Sequence, residues 1–184
     1  MGTPIGNNKN TLIDILLDHA NTKSNKIAFI MLDDAGNEQE SISYAELRDQ
    51  INVYAQKLTR DFTKGERCLI PIPQGTDFLV AFLSCLYAGM IAVPVNLPRR
   101  NKANERFRAI AKDAEPSCII LDSISMQLFQ KHFSDFPEIK DLEYLHINTN
   151  TKKDPIQHAL PLADINDIAY LQYTSGSTGT PKGV

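Results

Sequence analysis

The 184-residue chain is long enough for one domain or two small ones, at roughly 100–200 residues per domain. Its 42% hydrophobic and 22% charged residues match an ordinary soluble globular protein and exclude a disordered or fibrous class. A net charge of -3 gives no electrostatic footprint for nucleic acid as the main partner.

The N-terminal MGTPIGNNKNT lacks a basic segment followed by an apolar run, so it does not read as a secretory signal, and Gly6 breaks the myristoylation pattern. From Thr11 to about Ala20 the spacing predicts a short amphipathic helix with Leu12, Ile15 and Leu16 on one face. Ile27–Leu32 reads as a strand, 33–37 (DDAGN) as a turn and Gln39–Ser43 as the returning arm of a hairpin. Ser43 and Glu46 form a capping box that opens a helix to about Arg60, with Leu47, Ile51, Tyr54, Ala55 and Leu58 inward.

A strand follows over Arg67–Ile72. Phe78–Val95 then runs eighteen residues without a charge, long enough to raise a membrane span. Gly89 and Pro94 interrupt it and its second half is β-branched, so a helix over Asp77–Ala88 and a buried strand over Ile91–Val95 explain it better. A second round predicts a helix at Asn104–Asp113, a strand at Ser117–Leu121, a helix at Ser123–Phe133 and a strand at Leu142–Ile147. Thr149–Pro161 reads as an irregular connection, and Ile168–Tyr173 as a buried-looking strand that runs into TSGSTGTPKG. The alternation predicts an α/β fold, a layered, mainly parallel sheet with helices on its faces.

The chemistry sits in Tyr173–Val184, YTSGSTGTPKGV. Four hydroxyl residues and two glycines fill the six positions from Thr174 to Gly179. Glycines let successive backbone N–H groups turn toward one anion, hydroxyls add donors, and Lys182 adds a point charge, a composition suited to a polyphosphate. It is not a Walker A loop: Pro181 stands where the second glycine belongs, and Gly183 follows Lys182 where a hydroxyl would hold magnesium. A Ser/Thr/Gly tract can also be a flexible linker. The strand leading into it, the usual approach to ligand loops in α/β sheets, and the order S-G-S-T-G-x-P-K-G argue for a site.

YTSGSTGTPKGV resembles the signature phosphate loop of the acyl-adenylate-forming (AMP-binding) superfamily, which includes acyl-CoA synthetases, amino-acid adenylation domains, luciferases and fatty acyl-AMP ligases. The match runs from Tyr173 to Val184 without a departure. LQYTSGSTG, AFLSCLYAGMIAVPVNLP (Ala81–Pro98) and KDAEPSCII (Lys112–Ile120) look most like fatty acyl-AMP ligases and fatty-acid–CoA ligase-like enzymes. Asn96-Leu97-Pro98 departs from that branch, which tends to carry a tyrosine and paired prolines there.

The resemblance implies that residues 1–184 are the N-terminal portion of the large, AMP-binding adenylation domain. It implies ATP-dependent activation of a fatty acid as acyl-adenylate with release of pyrophosphate, using Mg2+. Transfer then follows to the phosphopantetheine thiol of an acyl carrier protein or to coenzyme A. Thr174, Ser175, Gly176, Ser177, Thr178, Gly179 and Lys182 would bind the β- and γ-phosphates, with Lys182 neutralising charge at the leaving pyrophosphate. The adenine pocket, magnesium-binding glutamate, acyl tunnel and main catalytic lysine would lie beyond Val184, leaving this piece inactive by itself. An amino-acid adenylation domain stays open, as does a non-catalytic nucleotide- or carrier-binding piece.

Arg99, Arg100, Lys102, Arg106, Arg108 and Lys112 gather positive charge within fourteen residues. They read as a docking patch for an acidic carrier or, more simply, as a solvated helix face with Glu105 and Asp113 as local partners. His19, His132, His146 and His158 lack metal-ligand spacing, and Cys68, Cys85 and Cys118 form no pair or cluster. No metal site is therefore assigned, and the cysteines read as buried small hydrophobes of a cytoplasmic protein. Tyr170 and Tyr173 read as core residues of the last strand.

Overall fold

The structure, a computed structural model, describes residues 11–96, 101–133, 136–149, 163–175 and 181–184, with the side chains at 101–104, 132 and 175 outside the description. Helix α1 (Leu12–Thr22) opens on a capping box in which Thr11 and Asp14 satisfy each other's backbone and side-chain groups. A hairpin of β1 (Ile27–Leu32) and β2 (Glu38–Ser43) follows, turning on Asp33, whose carboxylate accepts from the N–H of Ala35 and Asn37. The expected Ser43–Glu46 capping box starts α2 (Tyr44–Asp61), and its five predicted inward residues are all buried.

Then come β3 (Arg67–Ile70), α3 (Thr76–Tyr87), β4 (Ile91–Pro94), α4 (Asn101–Ala114), β5 (Cys118–Leu121), α5 (Ser123–His132) and β6 (Glu143–His146). The four strands form one sheet in the order β4-β3-β5-β6, and all pairings are parallel. Strands covered on both faces are apolar at nearly every position, and alternate residues feed opposite layers. Cys68, Ile70, Cys118 and Ile120 face the layer of α1, α2 and α3; Leu69, Ile119 and Leu121 face that of α4 and α5. All three cysteines are free and buried, as expected.

The uncharged run divides at Gly89. Its φ of 72° lies in the left-handed region, and Met90 N–H bonds to Cys85 O while Gly89 N–H bonds to Leu86 O. This pattern ends α3 and releases the chain into β4. Among the described residues no helix is long and apolar enough to cross a membrane.

Two expectations change. Helix α1 buries Ile13, Leu16 and Ala20, while Leu12 and Ile15 are 55% and 45% exposed. Apolar residues fill two overlapping stripes there, and the one that extends a further turn to Ala20 packs inward. The stretch before TSGSTGTPKG is not a buried strand: Tyr170 makes a single parallel bridge to Ala92, and Ile168 and Tyr170 are 60% and 46% exposed. It lies along the free edge of β4, and among the described residues nothing pairs with its outer side.

Candidate functional site: the C-terminal hairpin

Ala92 N–H donates to Ala169 O and Leu171 N–H donates to Ala92 O, so the chain enters alongside β4 and parallel to it. Continuing from the Ala92–Tyr170 bridge, it passes the end of β4 and becomes β7 (Tyr173–Ser175). That places it at the carboxyl end of the parallel strands, where α/β sheets bind ligands. Strand β8 (Pro181–Gly183) returns antiparallel, pairing Tyr173 with Gly183, Thr174 with Lys182 and Ser175 with Pro181. Gln172 and Val184 close the ladder with reciprocal backbone bonds of 2.9 and 3.1 Å.

The ribbon has two unlike faces. Thr174 and Lys182 stand directly opposite each other and both are exposed. Opposed residues of an antiparallel pair share a face, with Cβ atoms about 4.5–5.5 Å apart. A hydroxyl donor and a cation thus leave the same side of the hairpin, and among the described residues no ion pair engages Lys182. Tyr173 and Pro181 alternate to the other side and are buried. Gly176, Ser177, Thr178 and Gly179, which join the two strands, lie outside the described residues, as does the side chain of Ser175.

The buried face rests on α4. Tyr173 Oη donates to Asp113 Oδ2 at 2.6 Å, and Arg106 Nη2 donates to Tyr173 O at 3.1 Å. Burial first, then the Asp113 carboxylate as acceptor and as a negative charge, pushes the Tyr173 phenol well above the ordinary tyrosine range, so it stays a donor at neutral pH. The ring lies over Gly183: a Cβ there would stand 3.0 Å from Tyr173 Cζ. Arg67 holds the far end of α4 by donating to the carbonyls of Ala114 and Glu115. The segment before β7 is tied down by Lys64 Nζ, 2.7 Å from Asp167.

These anchors revise the reading of the basic segment. Asp113 partners Tyr173, and Arg106 serves a main-chain carbonyl. Arg108 pairs with Glu138 at 2.8 Å and lies over the Phe136 ring, 5.2 Å from its centroid. Among the described residues neither Glu105 nor Asp113 forms an ion pair with Arg106, Arg108 or Lys112. Arg99 and Arg100, and the side chain of Lys102, lie outside the described residues. Arg106 and Asp113, seven apart on one helix face, are the site residues that sequence reasoning missed; that spacing is the signal that could have found them. Tyr173 is core as expected, whereas Tyr170 is half exposed against Phe82. His146 meets Ser123 Oγ at 3.1 Å at the surface and His19 packs edge-on against Tyr44; the His132 side chain and His158 lie outside the described residues.

The AMP-binding enzyme family matches residues 16–184. The medium-chain-fatty-acid–[acyl-carrier-protein] ligase JamA of Moorena producens (strain JHB) is 36% identical over 184 aligned positions, 95% of this chain and 30% of JamA. The long-chain-fatty-acid–AMP ligase FadD23 of Mycobacterium tuberculosis is 36% identical over 146 positions, 79% of this chain and 25% of that protein. The fatty acyl-adenylate ligase from L. pneumophila, solved with acyl adenylate and pyrophosphate, superposes with a TM-score of 0.74 at 29% identity, over 95% of this chain and 30% of that one. McyG A-PCP, solved with phenylalanyl-adenylate, gives 0.80 at 26% identity, over all of this chain and 29% of that one. This chain thus spans about 30% of the length of JamA. With the family matching from Leu16 to Val184 and the fold shared with these adenylate-forming structures, the chain belongs to the AMP-binding enzyme family.

Proposed function

We propose that residues 1–184 are the N-terminal portion of an adenylation domain and supply its phosphate-binding loop. The reaction is ATP-dependent activation of a fatty acid: the carboxylate attacks the α-phosphate, acyl-AMP forms, and pyrophosphate leaves. The observation that carries this reading is the two-faced hairpin, with Thr174 and Lys182 together on its open side and the other side seated on the fold. A donor and a cation held there suit the β- and γ-phosphates and oppose the charge that builds on departing pyrophosphate. Ser175, Gly176, Ser177, Thr178 and Gly179 complete the loop in this reading. In this reading magnesium would arrive on the ATP phosphates, and the chain's own part is phosphate binding.

Transfer to a carrier-protein thiol is the second half of the proposal, supported by likeness to JamA, whose name states that acceptor. Coenzyme A is the competing acceptor. An amino-acid substrate is the competing first step, favoured by the likeness to McyG with its phenylalanyl-adenylate. The reading places the enzyme in the cytoplasm, where ATP and carrier proteins are found.

Exchange of labelled pyrophosphate into ATP tests the first step: fatty acids should support it and amino acids should not. Exchange with amino acids alone would replace the fatty-acid assignment. Offering coenzyme A and holo carrier protein together tests the second, with acyl-carrier thioester expected to predominate. Predominant acyl-CoA would overturn the acceptor and leave adenylation standing.

A further inference from the structure

Family motifs explain the donors of a phosphate loop, but not what aims them. In this chain the loop leaves the sheet through one residue, Tyr173, and three other residues meet on it. Asp113 Oδ2 receives its hydroxyl at 2.6 Å, Arg106 Nη2 reaches its carbonyl oxygen at 3.1 Å, and its ring covers Gly183 so closely that a Cβ there would stand 3.0 Å from Cζ. Main chain and side chain of one residue are thereby fixed at two points, immediately before Thr174.

The helix that supplies both grips is itself fixed. Phe107, Ile110, Ala111 and Ala114 are buried on the sheet, and Arg67 binds the carbonyls at its end. Arg106 and Asp113 lie seven residues apart, so two turns of α4 bring them to one face. Three-residue strands supply few ladder bonds, and a two-stranded ribbon is marginal by itself. The grips therefore decide where the open face points, and a phosphate ligand is sensitive to displacements of about 1 Å.

We infer that Arg106, Asp113 and Gly183 form a clamp on Tyr173 that positions the phosphate loop for ATP. They are positioning residues and need not touch the nucleotide. The inference rests on the phosphate-loop reading above and adds that loop placement is set by α4.

The test uses the enzyme that carries this chain, with Tyr173→Phe, Asp113→Ala, Arg106→Ala and Arg106→Lys, and Lys182→Ala as the reference. Kinetics of fatty-acid-dependent pyrophosphate exchange are read separately for ATP and for fatty acid. Tyr173→Phe keeps the ring and removes one oxygen, so it preserves folding best. It and Asp113→Ala should each lower kcat/KM for ATP about two- to tenfold, leaving KM for fatty acid unchanged. The double variant should be no worse than the poorer single one, because both remove the same bond. Arg106→Ala should act in the same direction and Arg106→Lys should restore part of the loss. A merely structural role would reduce the yield of folded enzyme without an ATP-specific effect, and that result would overturn the inference. Unchanged ATP kinetics in the clamp variants, with Lys182→Ala impaired, would discard the clamp and keep the phosphate-loop reading. If Lys182→Ala is also unchanged, both fall together.

Discussion

The central sheet and the C-terminal hairpin belong to one chain and are held by different forces. In β3, β4 and β5 most side chains are sealed on both faces, and Leu69, Ile70, Ala92, Val93, Ile119 and Ile120 have no exposed surface. Burial there is diffuse, and every neighbour shares the load. The β7–β8 hairpin has three residues per strand, one exposed face and one aromatic anchor, Tyr173. Its placement rests on a few directional contacts to α4. Where burial holds a region, many substitutions cost stability; where a few bonds hold it, a single change moves the function while the fold survives.

The largest effect should come from the sheet. Leu69→Ala empties a fully buried position in β3 and should cost about 2–5 kcal/mol, read as a lower denaturation midpoint. Gly183→Ala probes the hairpin through packing instead. The added methyl meets the Tyr173 ring, and the expected cost is about 1–3 kcal/mol. Amide exchange should rise at Gln172 and Val184, whose N–H groups close the ladder, and not in β3. Equal loss of protection in both regions would erase the distinction.

The capping boxes rank below both. Ser43→Ala removes the acceptor for Glu46 N–H and should cost about 1 kcal/mol with the sheet intact. Alkaline pH should sharpen the contrast further. The folded Tyr173 pKa is raised above its unfolded value, so the Asp113 bond contributes fully below the ordinary range near 10 and is lost as pH rises through the raised value. The hairpin should loosen there before β3 does, and Tyr173→Phe should abolish that pH dependence. The smallest effect belongs to Glu138→Gln. Its Arg108 partner is partly exposed, so the midpoint should hardly move. Arg108 holds the Glu138 carboxyl below its usual range, so even this contribution is present above the ordinary carboxylate range and fades as pH falls through the lowered value.

The same contrast governs what could be read from the sequence. Sheet strands announce themselves as apolar runs, the Ser43–Glu46 box and Gly89 mark helix ends, and the inward stripe of α2 follows its period. Helix α1 misled because five apolar residues among Leu12–Leu17 admit two stripes. The TSGSTGTPKG motif was legible in the sequence, with its hydroxyls, glycines and Lys182. Its support was not, because Asp113 and Tyr173 are sixty positions apart and their bond exists only after α4 docks. Apart from its seven-residue spacing from Arg106, Asp113 carried no local signal but its charge, which made a helix-surface partner the simpler expectation. The edge stretch Ile168–Tyr170 looked buried because its composition is apolar, whereas exposure depends on what pairs with its outer side.

The central claim is that the open face of this hairpin grips the polyphosphate of ATP, and Lys182→Ala tests it most directly. Single-turnover formation of acyl-adenylate, measured in the enzyme carrying this chain with saturating fatty acid, should slow about ten- to hundredfold while the denaturation midpoint stays unchanged. An unchanged rate would make Lys182 an ordinary surface lysine and contradict the account.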